Sequence, residues 1–149
     1  MRCYLFNIRN DDDYIKYYPI LYKWWKDWGF TPLAPDMLSK NGIIIYKDNT
    51  PICAGWLFST DSNTAIAGWL ISTKDDKGKR KGCIEELIKR LELLANNLGF
   101  DLLNFPASNP FLSNKLEKLG FGDYADKNIT NYFKRIDGRI SIWNNSRHI

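Results

Sequence analysis

The chain has 149 residues, of which 44% are hydrophobic and 26% charged, and its formal net charge is +4. This length is typical of a single domain that buries about two-thirds of the surface of its unfolded chain. The charge excess is small and scattered, so we expect no nucleic-acid partner, and no apolar run approaches the length of a membrane span. Aromatic residues form 15% of the chain, which indicates that some rings line a pocket or an interface, and they are compatible with a homodimer.

The cysteine and histidine content restricts the kinds of disulfide, metal site and catalytic triad that we expect in this chain. Cys3, Cys53 and Cys83 are odd in number and widely spaced, which argues against a disulfide framework and predicts a reducing, cytoplasmic location. His148, near the end of the chain, is its single histidine. We therefore expect no His-based metal site and no Ser/His/Asp triad.

The first helix is predicted by a stripe of large side chains. Residues 3–8 read as a strand, and the polar run at 10–13 supplies caps for a helix that ends at Gly29. Pro19 is expected to kink or restart this helix. The stripe recurs at spacings of three and four residues, and its members are Tyr14, Tyr17, Tyr18, Leu21, Trp24, Trp25 and Trp28.

Most of this stripe is expected to face the core, because such spacing is what burial of a helix face requires. Trp24 and Trp25 are adjacent, so we expect that they do not both face inward. One of the pair, or Trp28, is then predicted to project toward a cleft or a partner. These three residues are our candidates for substrate contact.

Three strands and a basic loop follow. Residues 43–47, 52–59 and 65–72 are predicted to form an antiparallel meander, because short polar turns separate them. The loop at 74–82 then places four cations, Lys77 and residues 79–81, at the start of a periodic helix over 84–98. Cations are unfavourable at a helix N-terminus unless an anion binds there, so this loop indicates a phosphate site. The alternative is a solvated charge cluster on the surface.

The last part of the chain completes a mixed sheet. Residues 102–105 are predicted to pair in parallel with 65–72 through a right-handed crossover. Asn109 and Pro110 open a helix that stops at Gly120, and residues 130–136 read as a final strand. We expect a single domain over 1–136 and a polar tail over 137–149.

This order of meander, basic glycine loop, long helix, short strand and helix resembles the GCN5-related N-acetyltransferase (GNAT) family. The run from Lys77 to Gly82 is similar to that family's phosphate-loop motif Gln/Arg-x-x-Gly-x-Gly/Ala, with Arg80 where the first motif glycine belongs. Residues 109–112 and 115–121 look like the family's Asn-containing helix and its terminal Gly-Phe. The specific resemblance covers residues 65–121.

The resemblance implies an α/β (α+β) fold: a mixed, mostly antiparallel sheet of about six strands flanked by helices, with a central parallel pair splayed for the cofactor. It also implies acetyl-CoA as the cofactor and an amine as the acceptor. Arg80 either obstructs the close backbone approach that glycine permits or grips phosphate itself. The cofactor-binding residues that the resemblance implies are Ile71, Ser72, Thr73, Lys77, Gly78, Lys79, Arg80, Lys81, Gly82, Cys83 and Asn109.

Proton-transfer groups are less clearly marked. In this family a tyrosine on the last helix often protonates the departing thiolate, and the matching position here is Leu116. Tyr124 is our candidate general acid, with Tyr132 as its alternative. For a general base, Asp61 and Asp75 are candidates by proximity alone, and both also fit as turn residues.

We therefore expect an acetyl-CoA-dependent N-acetyltransferase that acts by direct transfer on an amine of a small molecule or a protein. The alternative is a catalytically degenerate member of the fold, which binds CoA or another protein without chemistry; Arg80 and Leu116 favour it. A small basic nucleic-acid binder is a third possibility. It is disfavoured because the Trp-rich segment and the basic loop lie far apart in sequence.

Overall fold

Five strands form one mixed sheet in the computed structural model, which describes residues 1–107 and 110–122. The sheet order is β1-β2-β3-β4-β5, in which all neighbours are antiparallel except the parallel pair β4 and β5. The strands are β1 (Arg2–Phe6), β2 (Asn41–Lys47), β3 (Thr50–Phe58), β4 (Thr64–Ser72) and β5 (Leu102–Asn104). The predicted mixed sheet and meander are confirmed, and the predicted strand at 130–136 lies outside the described residues.

Helices cover both faces of this sheet. They are α1 (Asp11–Asp27), α2 (Lys77–Arg80), α3 (Cys83–Asn97) and α4 (Pro110–Lys118), and a 3-10 turn spans Pro35–Met37. α1 packs on one face, around Trp56 and Ile44, and α3 packs on the other, around Ile52 and Leu57. Within the described ranges, no helix is long and apolar enough to cross a membrane.

α1 forms as its sequence predicts at both ends but not at Pro19. The Asn10 side chain caps the first turn by accepting from the Asp12 N–H, and Gly29, at φ +78°, ends the helix where Phe30 N–H returns to Trp25. The sequence predicted a kink or a restart at Pro19, and the restart does not occur, because the helix continues through this residue. Pro19 lies on the exposed face, where water can hydrate the carbonyl that has lost its donor.

The expectation that Trp24 and Trp25 cannot both face inward is also wrong. Each is 3% exposed, and both belong to the same core cluster as Tyr17 and Leu21. A core-facing stripe is at least about 100° wide, which is the angle between adjacent helix residues, so both indoles fit at its two borders. Trp25 stacks on Trp56 of β3, with ring centroids 6.3 Å apart.

α3 supplies the second core with smaller, aliphatic side chains. Its buried residues recur at helical spacing, and they are Cys83, Leu87, Ile88, Leu91 and Ala95. The helix ends where Phe100 N–H bonds to Ala95 O, and the chain then enters β5 beside the start of β4. This crossover places the N-terminus of α3 at the far end of β4.

Candidate functional site

The two halves of β4 differ in their pairing on the β5 side. β5 pairs with Thr64, Ala65 and Ile66 alone, whereas β4 continues to Ser72. Within residues 1–107 and 110–122, no strand pairs with this edge beyond Ile66. The parallel pair is therefore splayed, as the resemblance implied, and the second half of β4 presents unpaired backbone N–H and C=O groups.

Trp28 reaches the outer end of this open edge. Thr73 N–H donates to Ile52 O of β3 at 2.8 Å, so the carbonyl of the preceding residue, Ser72, is directed to the opposite edge. Trp28 Nε1–H donates to that Ser72 carbonyl at 2.8 Å. Trp28 is 37% exposed, so it is the member of the predicted tryptophan set that lies at the site, and it lies at its loop end.

A β-bulge interrupts the middle of β4. Ala54 pairs with Ile71 and Trp56 with Gly68, so one residue of β3 faces two residues of β4. The first of those two, Trp69, has φ +57° and is 47% exposed. The bulge brings this side chain to the point where β4 has already separated from β5.

The basic loop (residues 74–82) is built differently from the sequence expectation. Lys77–Arg80 form a separate turn before α3, α2, which the Asp76 carboxylate caps by accepting from Lys79 N–H at 3.1 Å. Cations at the C-terminal end of a helical turn are favourable rather than unfavourable. Lys77 and Lys81 are exposed, and neither has an ion-pair partner among the described residues.

Arg80, which stands where the motif has glycine, turns back against the protein. Its guanidinium donates to Thr73 O at 2.9 Å and lies 5.4 Å from the centroid of the Trp28 ring. Thr73 is itself buried, and its Oγ1 accepts from Asp75 N–H at 3.2 Å. The Thr73 and Arg80 side chains thus hold the shape of the loop.

The end of α1 is tied to the same loop by several contacts. Lys23 pairs with Asp75 at 3.1 Å, Lys74 Nζ donates to Asp27 O at 3.4 Å, and the Lys74 ammonium lies 5.3 Å from the Trp28 ring. Individually such exposed contacts are weak. Together they join the last turn of α1 to the basic loop.

The start of α3 fits a phosphate group. Gly82 precedes the helix at φ +77°, a backbone conformation that favours glycine, and this N-cap residue has no side chain to cap the first turn. Apart from its chain neighbours, a Cβ at Gly82 would meet no described atom closer than Met1 Cε at 4.0 Å, so there is room beside the backbone at this point. This room, the positive helix end and the exposed Lys77 and Lys81 are together a suitable cradle for a pyrophosphate.

Two carboxylates in that first turn are held by cations. Glu85 pairs with Lys115 of α4, and Glu86 pairs with Arg90 at 2.9 Å. Burial alone would raise the pKa of Glu85, but hydrogen bonds from Lys115 and from the backbone outweigh it and lower that pKa. The carboxylates therefore remain charged and partnered, which limits their repulsion of an anion nearby.

Cys83, the first residue of α3, is buried and is not available as a side chain to a ligand. The Cys53 thiol donates to Cys83 O at 3.4 Å. Hydrogen bonding to Cys83, together with burial, raises the pKa of Cys53, while the Cys53 contact and the Arg80 charge lower the pKa of Cys83. The part of Cys83 that belongs to the site is its backbone N–H.

Several predicted site residues lie elsewhere. The Ile71 side chain is in the α1-side core, and Asp61 lies in the turn before β4, at the opposite end of that strand from the loop. Asp75 is exposed and paired with Lys23. Leu116 is buried in α4. Asn109, Tyr124 and Tyr132 lie outside the described residues.

Two features of the site were missed by the sequence interpretation. The bulge at Trp69 had one available signal, since an isolated glycine within a strand, here Gly68, often marks a bulge. The hydrogen bond between Trp28 and Ser72 had no sequence signal, because it joins residues 44 positions apart.

Solved structures of acetyltransferases share this architecture. The chain is similar to aminoglycoside N-acetyltransferase AAC(6')-Iy in complex with CoA, with 14% identity, a TM-score of 0.60, and coverage of 91% of this chain and 100% of that one. It is similar to a ribosomal-protein-alanine N-acetyltransferase from Brucella melitensis biovar Abortus, with 16% identity, a TM-score of 0.59, and coverage of 91% and 100%.

A GNAT-family acetyltransferase from Staphylococcus aureus gives 16% identity, a TM-score of 0.58, and coverage of 91% of this chain and 98% of that one. No protein-family model and no curated protein sequence matches the chain. At these identities the similarity establishes the fold. The chain has the GNAT acetyltransferase fold, as its sequence resemblance implied.

Proposed function

We propose that this protein is an acetyl-CoA-dependent N-acetyltransferase that acts on an amine of a small molecule or a protein. The observation that carries the proposal is the open edge of β4 beyond Ile66, which leads directly into the basic loop and the uncapped start of α3. An extended amide-bearing chain can pair with such an edge while its phosphates reach the helix N-terminus. The similarity to a structure in complex with CoA supports the same assignment.

The residues that would hold the cofactor divide into two groups. Backbone N–H groups at the start of α3, following Gly82, would bind the pyrophosphate, with Lys77 and Lys81 as exposed counter-charges. Backbone groups of β4 beyond Ile66 would pair with the amides of the pantetheine arm. Acetyl-CoA, when bound, would supply an acetyl group activated as a thioester.

Acyl transfer also requires an oxyanion donor and a neutral amine. Unpaired N–H groups on the open edge of β4 are suitable donors for the oxygen that gains charge. Neither β3 nor β4 contains an Asp, Glu or His, so the acceptor amine would lose its proton to water or enter already neutral. Leu116 has no proton to give to the departing thiolate, and we propose Tyr124 for that role.

A second function is favoured by one specific observation. Leu116 is buried and apolar at the position where the family often has its catalytic tyrosine. A protein with this residue can keep the fold and bind CoA without turnover. Loss of a general acid typically costs about 10²–10⁴ in rate, while a thiol with a pKa of about 8.5 is a tolerable leaving group without assistance.

The first experiment measures thermal unfolding with and without acetyl-CoA. Ligand at a hundred times its dissociation constant stabilises a protein by about 2.7 kcal/mol. For a domain of this size the midpoint should rise by roughly 5–10 °C. No rise at saturating acetyl-CoA would contradict the proposal, and a rise without release of free thiol across a panel of amines would favour the binding module.

The contribution of the basic loop is tested by a double variant, Lys77→Ala with Lys81→Ala. Removal of two phosphate counter-charges should weaken acetyl-CoA binding about tenfold, which corresponds to about 1.4 kcal/mol, measured by calorimetry. The matched control is Lys40→Ala, which removes an exposed charge at the opposite end of the sheet. Equal acetyl-CoA affinities for the double variant and the control would show that the two lysines of the loop do not contribute to cofactor binding.

A further inference from the structure

Trp69 has an unfavourable backbone conformation that its core packing does not explain. Its φ of +57° lies in the left-handed region, which is a genuine outlier for a bulky residue. Its side chain is 47% exposed and belongs to neither core cluster. Strain of this kind persists where the surrounding structure imposes it, and it is concentrated at functional sites.

Few of the described residues approach Trp69. A Cβ at the preceding Gly68 would have no heavy atom within 4 Å, so the sheet is uncovered at that point. Among the described residues, the Trp69 ring has no aromatic neighbour and no cation over its face, in contrast to Trp28. The bulge therefore presents a large exposed indole next to a glycine that no described side chain covers, on the half of β4 that has separated from β5.

We infer that Trp69 and the space over Gly68 recognise the acceptor, and that the acceptor is a primary amine carrying an apolar, preferably aromatic, group. This inference rests on the proposed acetyltransferase function. An indole offers a large, rigid contact area for stacking against an apolar group. Gly68 provides the room for that group next to the backbone.

The charges near the site disfavour a polycationic acceptor. β3 and β4 contain no carboxylate, and the basic loop at the end of β4 is rich in lysine and arginine. A polyamine would therefore meet like charge at one end and no counter-charge along the strands. An amine with an apolar body does not need counter-charges along the strands, because its contact with Trp69 is uncharged.

The test compares three amines and three variants. Phenethylamine is the expected type of acceptor, propylamine lacks the aromatic group, and spermidine is the polycation. Trp69→Gly removes the indole and relieves the strained φ, whereas Trp69→Phe keeps a ring at the same position. Gly68→Leu fills the open space at a position whose backbone accepts a side chain.

For Trp69→Gly we expect a higher unfolding midpoint than the wild type, an unchanged shift with acetyl-CoA, and a KM for phenethylamine raised about tenfold. The KM for propylamine should not change. Trp69→Phe should keep the phenethylamine KM within about threefold of the wild type. Gly68→Leu should fold normally and raise that KM, and calorimetry on the free protein should show the same order of phenethylamine affinity.

An unchanged phenethylamine KM and affinity in Trp69→Gly would overturn the inference, as would a higher kcat/KM for spermidine than for phenethylamine. Either result leaves the proposed function standing if acetyl-CoA still binds and thiol is still released. Failure of the proposed function looks different, because the wild type would then show no acetyl-CoA shift and no thiol release with any of the three amines.

Discussion

The first and second halves of β4 differ in their pairing with β5. Thr64, Ala65 and Ile66 pair with β5, Ile66 also pairs with β3, and Ala65 is completely buried. From Gly68 onward the strand keeps β3 but has left β5, and it contains a bulge and a strained tryptophan. One strand thus combines a half that contributes stability with a half that is free to bind.

The physical difference is where the backbone groups find their partners. In the first half they are satisfied within the sheet, so changes there act on folding. In the second half no described strand pairs with the backbone groups on the β5 side, and among these groups the Ser72 carbonyl accepts from Trp28, so changes there act on a ligand. Mutations that separate these two effects test the comparison directly.

The largest expected effect comes from Ala65→Asp in the paired half. Because Ala65 is 0% exposed in the α3-side core, the carboxylate would have no partner, and we expect a loss of about 3–5 kcal/mol in the free energy of unfolding. The matched control is Gly68→Ala in the open half, where a Cβ meets nothing. It should stabilise slightly, by up to about 1 kcal/mol. Urea unfolding measures both, and comparable losses would break the comparison.

A smaller effect is expected from Trp28→Phe at the loop end of the open half. The variant keeps a ring near Lys74 and Arg80 but loses the donor to Ser72 O. We expect a loss of about 0.5–1 kcal/mol, because the carbonyl faces an edge that water can reach. Trp69→Phe is the control, since that indole has no hydrogen bond to a described residue, and should change stability by less. Chemical denaturation that ranks the two variants in the reverse order would contradict this account of Ser72.

The smallest expected effect concerns the ion pair between Lys115 and Glu85 at the start of α3. Lys115→Met removes the cation that lowers the pKa of Glu85 below its ordinary value of 4.5. A carboxyl with a lowered folded pKa stabilises the fold fully above its unfolded pKa, and this contribution disappears as the pH falls through the folded value. The variant should therefore be less stable by about 0.5 kcal/mol at pH 7, with the difference shrinking as the pH falls below the ordinary pKa of Glu85 and through its lowered folded value.

The control for this pH dependence is Arg90→Met. It breaks the Glu86 pair within α3 alone and should cost about 0.3–0.5 kcal/mol. Unfolding measured from pH 3 to pH 7 separates the two variants. A Lys115→Met difference that persists undiminished at pH 3 would mean that the lysine acts through packing rather than through the charge of Glu85.

The features that the sequence predicted correctly are those that depend on a local sequence pattern. α3 was predicted nearly to the residue, because its buried positions repeat at helical spacing and Gly99 ends it. The meander and the parallel crossover followed from short turns and one intervening helix. The splay of β4 from β5 was implied by the resemblance rather than by the residues themselves.

The errors share a physical cause, which is that local rules were outweighed by packing. Trp24 and Trp25 are both buried because a core stripe is wider than one residue. Lys77–Arg80 form a separate turn before α3 because Asp76 adopts a left-handed conformation, at φ +50°, and caps that turn. Trp69 has a backbone conformation that its own side chain disfavours, so no propensity could have predicted it.

The contacts between the end of α1 and the basic loop have a consequence for the order of events. Lys23, Trp28 and Lys74 join the end of the helix to the loop. A ligand that rearranges the loop must therefore either break these contacts or move α1 with it. By thermodynamic reciprocity, if a second ligand that binds beside the end of α1 changes the affinity of the loop for its own ligand, the ligand of the loop changes the affinity for the second ligand by the same factor.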